Sequence, residues 1–272
     1  MNLATATVTR RRGDERILAQ VERALSFVRV RELEGYTQYL LGVRAMLRLF
    51  RGSWAEAEAD ARASPAYGGD TGVSLCPALL VIGRLRARRD DADATEPLED
   101  AWRRAVATGE LQRLGPAAAA RAEHAWLEGD LDAVAEVARP AYERAAARGD
   151  AWARAELAQW LWRAGEPVPS GPDDPEPYAL AVAGDRAAAA AAWERLGFAY
   201  DQAEALSDAA APAGGPASDA VAAEAARLDA LARFEALGAL RSAAALRRRL
   251  RAAGVKRIPR GPRAASRAGR RD

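Results

Sequence analysis

Glu128-Gly129-Asp130-Leu131, followed by Ala133 and Ala135, is the phrase on which the fold turns. A glycine takes the left-handed backbone that ends a helix, and an aspartate just after it can cap the next one. The phrase therefore predicts a corner between two helices. It recurs as Arg51-Gly52-Ser53-Trp54 with Ala55, Ala57 and Ala59, as Ala183-Gly184-Asp185-Arg186 with Ala187 onward, and as Arg12-Gly13-Asp14. Gly13 to Gly52 is 39 positions and Gly52 to Gly129 is 77, close to twice that. A copy whose glycine is lost falls between them, at Arg89-Asp90-Asp91-Ala92.

The segments between corners read as helices. Tyr36, Tyr39, Leu40, Val43, Leu47 and Phe50 recur at three- and four-residue spacings, which is one buried helical stripe over Gly35–Phe50. Trp54–Ala63 pairs with it. Val73–Arg88 and Glu96–Thr108 follow, with Pro97 in a first turn where proline fits. Then come Pro116–Leu127, Leu131–Arg148, in which Pro140 is expected to kink or split the helix, and Trp152–Ala164. Gly165–Pro177 holds five of the 14 prolines and is expected to be an exposed, protease-sensitive loop. Tyr178–Ala183, Arg186–Leu196, a loose stretch at Ser207–Ser218, and helices at Asp219–Leu237 and Leu240–Ala253 complete the chain.

These units predict an all-α fold, a tetratricopeptide-like helical repeat superhelix of antiparallel helix pairs. The period of about 39 is longer than the 34 residues of the strict unit. The expected organisation is an N-terminal group of repeats at 1–164, the Pro-rich loop at 165–177, and a C-terminal group at 178–254. A basic linker or disordered tail is expected at 255–272. Composition agrees: 70 of 272 residues are Ala and only 17 are aromatic, which suits closely packed helices and disfavours strands.

The basic residues are 39 Arg and Lys256 alone, a bias that matches GC-rich coding. Twelve of them follow position 240 against one acid, Asp272, so residues 1–240 carry 28 basic and 37 acidic side chains, a net −9. One cysteine excludes an internal disulfide and a thiolate metal cage. No stretch reaches the roughly 18–20 apolar residues of a membrane span, and Met1–Arg12 lacks a signal-peptide core. A cytoplasmic location is expected.

Catalytic signatures are missing. Lys256 has no glycine frame for a phosphate-binding loop, and there is no GxGxxG. With His124 and Cys76 as the sole residues of their kinds, no triad, Cys-His pair or zinc site rests on more than one candidate. His124 reads as a partly buried helix residue, Cys76 as a small core residue, and Asp90–Asp91 and Asp173–Asp174 as solvated loop charge. No enzyme, cofactor or metal is expected.

Two groups stand out as binding candidates. Trp126, Trp152, Trp160, Trp162 and Trp193 crowd neighbouring helices; they read as packing or as a ligand or partner surface on the concave face of a superhelix. Arg247, Arg248, Arg251, Lys256 and Arg257 form a basic helix and tail suited to a solvated face or to nonspecific phosphate contact. The segment has no aromatic residue for stacking on bases, and no recognition helix follows it. Promoter and random DNA are therefore expected to be indistinguishable to it.

The same C-terminal residues resemble a known family. Leu237-Gly238-Ala239, Ala243 through Arg251, Gly254-Val255, Ile258-Pro259-Arg260-Gly261-Pro262-Arg263 and Ser266-Arg267-Ala268 resemble the segment before the DNA-binding domain of large ATP-binding regulators of the LuxR type. The likeness extends upstream through Gly184-Asp185 with Ala190–Trp193, Glu176-Pro177-Tyr178-Ala179-Leu180, and Trp160-Leu161-Trp162-Arg163-Ala164-Gly165. It also takes in Gly109 to Leu114, Gly35-Tyr36 and Tyr39-Leu40-Leu41-Gly42, and so covers most of the chain. The resemblance implies the helical-repeat sensing and assembly module of such a regulator, without the ATPase and helix-turn-helix that flank it, as a truncated or split product. A protein partner or small effector is implied, and self-association is open. The other reading is a free-standing tetratricopeptide-type scaffold unrelated to transcription.

Overall fold

In a computed structural model, residues 15–67, 72–91, 93–169, 171, 173–209 and 217–261 are described. The expected corner at Gly13-Asp14, residues 210–216 of the loose stretch, and everything beyond Gly261 lie outside them. Among the described residues there are thirteen α-helices and no strand. They are α1 (Glu15–Val30), α2 (Glu34–Phe50), α3 (Trp54–Ala63), α4 (Cys76–Arg89), α5 (Thr95–Thr108), α6 (Leu111–Glu128) and α7 (Leu131–Ala147). The rest are α8 (Ala151–Arg163), α9 (Glu176–Val182), α10 (Arg186–Leu196), α11 (Ala199–Ser207), α12 (Ala217–Leu237) and α13 (Leu240–Ala252).

The corners form as the Gly-Asp phrase predicts. Gly129 ends α6 at φ +86°, and Asp130 opens α7 by accepting the Ala133 N–H at 3.0 Å. Asp150 and Asp185 cap α8 and α10 in the same way, at 3.1 and 3.0 Å. Ser53 opens α3 without a side-chain cap bond. At the copy that lost its glycine, Asp90 itself takes the left-handed conformation, φ +64°, and its N–H reaches Arg86 O. Asp tolerates that region better than most residues. The corners are denser than the phrase alone implies: Gly109, Gly129 and Gly149 stand 20 residues apart, one corner per helix.

Two glycine corners predict different costs. A Cβ on Gly129 would meet nothing within 4 Å, so Gly129→Ala should cost about 1 kcal/mol, the left-handed penalty alone. Gly52, at φ +82°, would place its Cβ 2.8 Å from Leu237 Cδ2, so Gly52→Ala should cost roughly twice as much or more. Denaturant midpoints of the two variants compare them directly; equal losses would mean that the Leu237 side chain turns aside without cost.

Pro97 lies in the first turn of α5 as expected, whereas two other prolines sit inside helices that run unbroken. Pro140 does not split α7, which runs unbroken, and Pro116 lies inside α6 rather than starting it. Each proline removes one helix hydrogen bond, but both helices are packed against neighbours along their length, and packing decides helix stability more than local propensity does. The helices α1 and α11 have no counterpart among the segments expected from the sequence.

Small side chains set the packing. Ala45, Ala57, Ala101, Ala105, Ala118 and Ala119 are fully buried, which lets helix axes approach closely. At Gly42 a Cβ would come within 3.0 Å of the Ala78 backbone nitrogen. One apolar core runs from Ile17 on α1 to Leu250 on α13, and a second lies between α6, α7 and α8. On α1, Ile17, Val21, Leu25 and Val28 point inward, while Arg16, Gln20, Arg23 and Arg29 face out together with Phe27 and Val30.

Successive helices pack on one another, but the chain also folds back. α13 packs against α4 and α6, and α11 against α2. The Phe50 and Phe198 rings meet edge-on at 5.3 Å, Trp54 and Tyr200 at 6.0 Å. Arg241 bonds Glu128 at 2.6 Å and sits 3.3 Å from Asp90. An open solenoid has only neighbour contacts; here the last helices seal onto the first ones along a seam.

Candidate functional site

The seam is lined with charge. Leu80, Val81 and Leu85 place one face of α4 in the core, and Arg84 and Arg88 share that buried face at helical spacing. A buried guanidinium needs a carboxylate. Arg88 finds Glu123 of α6, with Nε donating to Oε1 at 2.5 Å and Nη2 to Oε2 at 3.2 Å. Arg84 lies 3.4 Å from Glu123 and donates to Glu156 of α8 at 3.4 Å. The far side of Arg88 faces the ring of Tyr200 on α11, 3.7 Å from its centroid. The Tyr200 hydroxyl lies 2.8 Å from Ser242 Oγ on α13. One arginine thus ties α4, α6, α11 and, through Tyr200, α13.

A second hub sits beside it. Arg163, the last residue of α8, pairs with Glu204, and its Nη2 donates to Asp208 at 2.7 Å. Its guanidinium lies 4.9 Å from the Trp160 ring and 5.5 Å from that of Trp126. Arg249 of α13 donates to Ser207 O at 2.9 Å and approaches Asp208 at 3.5 Å. The two hubs border a cavity of about 20 Å³, lined by Arg84, Arg88, Glu123, Glu156, Tyr200 and Glu204 among others. That is room for one water-sized group. Arg84 Nε and Arg88 Nη1 are buried there without a hydrogen-bond acceptor among the described residues.

Burial sets the proton affinities. Arg88 and Arg163 hold their protons more tightly than usual, because the carboxylates beside them outweigh the cost of burying the charge. Tyr200 is pushed well above its ordinary value by burial and by Glu204 and Glu123, so it stays a phenol. Glu204 is raised above 4.5, first by burial and then by Asp208 and Glu123, against the pull of Arg163.

A carboxyl group raised in the fold binds a proton more tightly folded than unfolded, so its contribution to stability is present below about 4.5 and falls as pH rises through its folded value. Glu204→Gln should flatten that fall. Urea midpoints between about pH 4 and 7 measure it; an unchanged slope in the variant would assign the pH dependence to other groups.

Trp193 is buried, and the Tyr178 ring separates it from Trp152, with ring centroids at 5.1 and 6.1 Å. Trp126 and Trp160 flank Arg163. Trp162 is 40 % exposed, with the Arg186 guanidinium 4.2 Å over its ring. The five therefore form two inward-facing sets and one surface stack. His124 is half-buried, 3.1 Å from Thr95 Oγ1, and burial lowers its proton affinity. Cys76 is buried and its thiol is pushed up by burial. Asp174 is not solvated loop charge: Arg154 donates to it at 2.5 Å and the Gly171 N–H at 2.6 Å.

The basic group divides. Arg247 pairs with Glu235 and donates to Pro259 O at 3.2 Å, so it is committed to the fold. Arg248, Arg251, Lys256 and Arg257 are exposed. Residues 255–261 are no loose linker. Val255 N–H closes the helix end on Leu250 O at 3.1 Å, and Val255 and Ile258 pack on the core.

The sequence reading missed Arg84, Arg88, Glu123, Arg163 and Glu204. For Arg84 and Arg88 the signal was arginine on the apolar stripe of α4, hidden by an arginine-rich composition; Glu123, Arg163 and Glu204 carry no local signal. Among the described residues, no cluster of His, Cys, Asp and Glu is arranged to hold a metal ion, and no helix is long and apolar enough to cross a membrane. No protein-family model, characterised protein or solved structure matches the chain.

Proposed function

We propose that the chain is the helical-repeat module of a LuxR-type regulator of the large ATP-binding class, acting in the cytoplasm as a non-catalytic sensing and protein-interaction unit. The observation that carries this reading is the place of the motif residues in the fold. Trp160 and Arg163 of the Trp-Leu-Trp-Arg-Ala-Gly run form the hub that holds Glu204 and Asp208. Tyr178 of the Glu-Pro-Tyr-Ala-Leu run packs on Trp193, which closes the Ala-rich helix that Asp185 caps. Gly238-Ala239 makes the corner into α13, and Ile258-Pro259 returns along it. Motif pieces scattered over about a hundred positions thus serve one seam, which supports a shared architecture over a chance run of small residues.

A sensing module needs two arrangements that a ligand can tell apart. The seam is a natural dividing line for them, because it joins early and late helices through charge pairs as well as apolar contact. A protein partner or small effector that favoured one arrangement would bias it, with the exposed Trp162 stack as a candidate point of contact.

Reading the genomic DNA past codon 272 tests the family. A helix-turn-helix in frame, or in a shifted frame, is the expected result. Unrelated sequence there would overturn the regulator and leave the free-standing scaffold.

A further inference from the structure

We propose that α13 and the segment folded back on it form a sequence-independent docking surface for the phosphate backbone of duplex nucleic acid, built from Arg248, Arg251, Lys256, Arg257 and Arg260. The proposal goes beyond the sensing role and does not depend on the effector.

Residues 240–261 contain eight basic side chains and no acid. The structure sorts them by commitment. Arg241 is held by Glu128 and Asp90, Arg247 by Glu235 and Pro259, and Arg249 by Ser207 and Asp208. The other five are exposed, and no ion pair engages them among the described residues. Arg248 and Arg251 are three apart on α13 and share a face. The returning segment brings Lys256, Arg257 and Arg260 to the same end of the fold, because Val255 and Ile258 pack inward and Arg247 grips Pro259. The five cations thus stand on a fixed base instead of a free tail.

What would cover them follows from the chemistry. Long cationic side chains with no apolar anchor between them suit a polymer of regularly spaced phosphates, where each contact releases a counterion. A membrane surface would call for apolar or aromatic residues to insert, and Val255 and Ile258 are turned into the core. The charge asymmetry of the chain, net −9 over residues 1–240, would steer a polyanion to this end. No side chain is placed to read base edges in a groove, so binding is indifferent to sequence.

The test is anisotropy of a labelled random duplex of about 20 base pairs with the full chain, between about 50 and 200 mM salt. Each neutralised phosphate adds about −0.9 to the slope of log K against log salt, so five contacts alone weaken binding about 500-fold over that range. Arg263, Arg267, Arg270 and Arg271 add to the absolute slope, so its change is the readout. The triple variant Lys256→Gln, Arg257→Gln, Arg260→Gln, in the non-helical segment, should make the slope shallower by about 2.7, and the pair Arg248→Gln, Arg251→Gln by about 1.8. Arg103→Gln, at an exposed position of α5, should leave it unchanged, and far-UV circular dichroism should match wild type in all three. A slope unmoved by the triple variant, or moved equally by Arg103→Gln, overturns the proposal. Binding only to anionic vesicles, or self-association that the triple variant abolishes, overturns it in favour of a lipid surface or a second copy.

Discussion

Replacing Arg163 by methionine is expected to destabilise the fold by about 3–5 kcal/mol. Its side chain is 1 % exposed, and its removal strands Glu204 and Asp208 in surroundings that leave them only 10 % and 7 % exposed. Glu204 loses its cation and carries the cost of burial, Asp208 keeps only Arg249 at 3.5 Å, and the two carboxylates repel each other. The methionine fills most of the space between Trp126 and Trp160, so the loss reports charge more than volume. Lowering the pH should recover part of the loss, because Glu204 is already inclined to take a proton. Adding Glu204→Gln to the variant should also recover part of it. Urea unfolding measures all three; a loss under about 1 kcal/mol would mean that water reaches the pair and that the hub is a surface feature.

Phe198→Ala is the second large effect, about 3–5 kcal/mol. Phe198 is completely buried, with the Phe50 ring at 5.3 Å and the Trp193 ring at 5.8 Å. Phe50 belongs to α2 and Trp193 to α10, so the cavity would open in the seam itself. In an open stack the damage would stay local and the C-terminal helices would melt first. With the seam closed, calorimetry should show one transition lowered by on the order of 10 °C. Two separated transitions would contradict the seam. Phe27→Ala, at a 54 % exposed position, should change stability by less than about 0.5 kcal/mol.

Helices and corners were legible in the sequence because their chemistry is local. Gly129, Asp130 and Asp185 act within three residues of themselves, and the stripe through Leu40, Val43 and Leu47 needs only its own helix. Asp90 was legible too, as the place where a glycine was due. What stayed hidden was non-local. Nothing near Phe50 announces Phe198, and nothing near Arg88 announces Glu123 or Tyr200. Arginines in this chain are so common that a buried one looks like the rest; only its position on the apolar stripe distinguishes it. The prolines misled for the same reason, since a rule about isolated helices met helices held by their neighbours. The tail resembles a linker in sequence because two half-buried side chains, Val255 and Ile258, are a weak signal among so many arginines.

The charged seam also bears on how the chain is made. Tyr200, which covers Arg88, is synthesised 112 residues after it. At 5–20 residues per second that is a delay of roughly 6–22 s. During that interval the inner face of α4 and α6 stands open beside the ribosome. An apolar face of that size would invite aggregation. Arg84, Arg88 and Glu123 keep part of the waiting surface hydrated, and they surrender that water only when the last helices arrive to cover them.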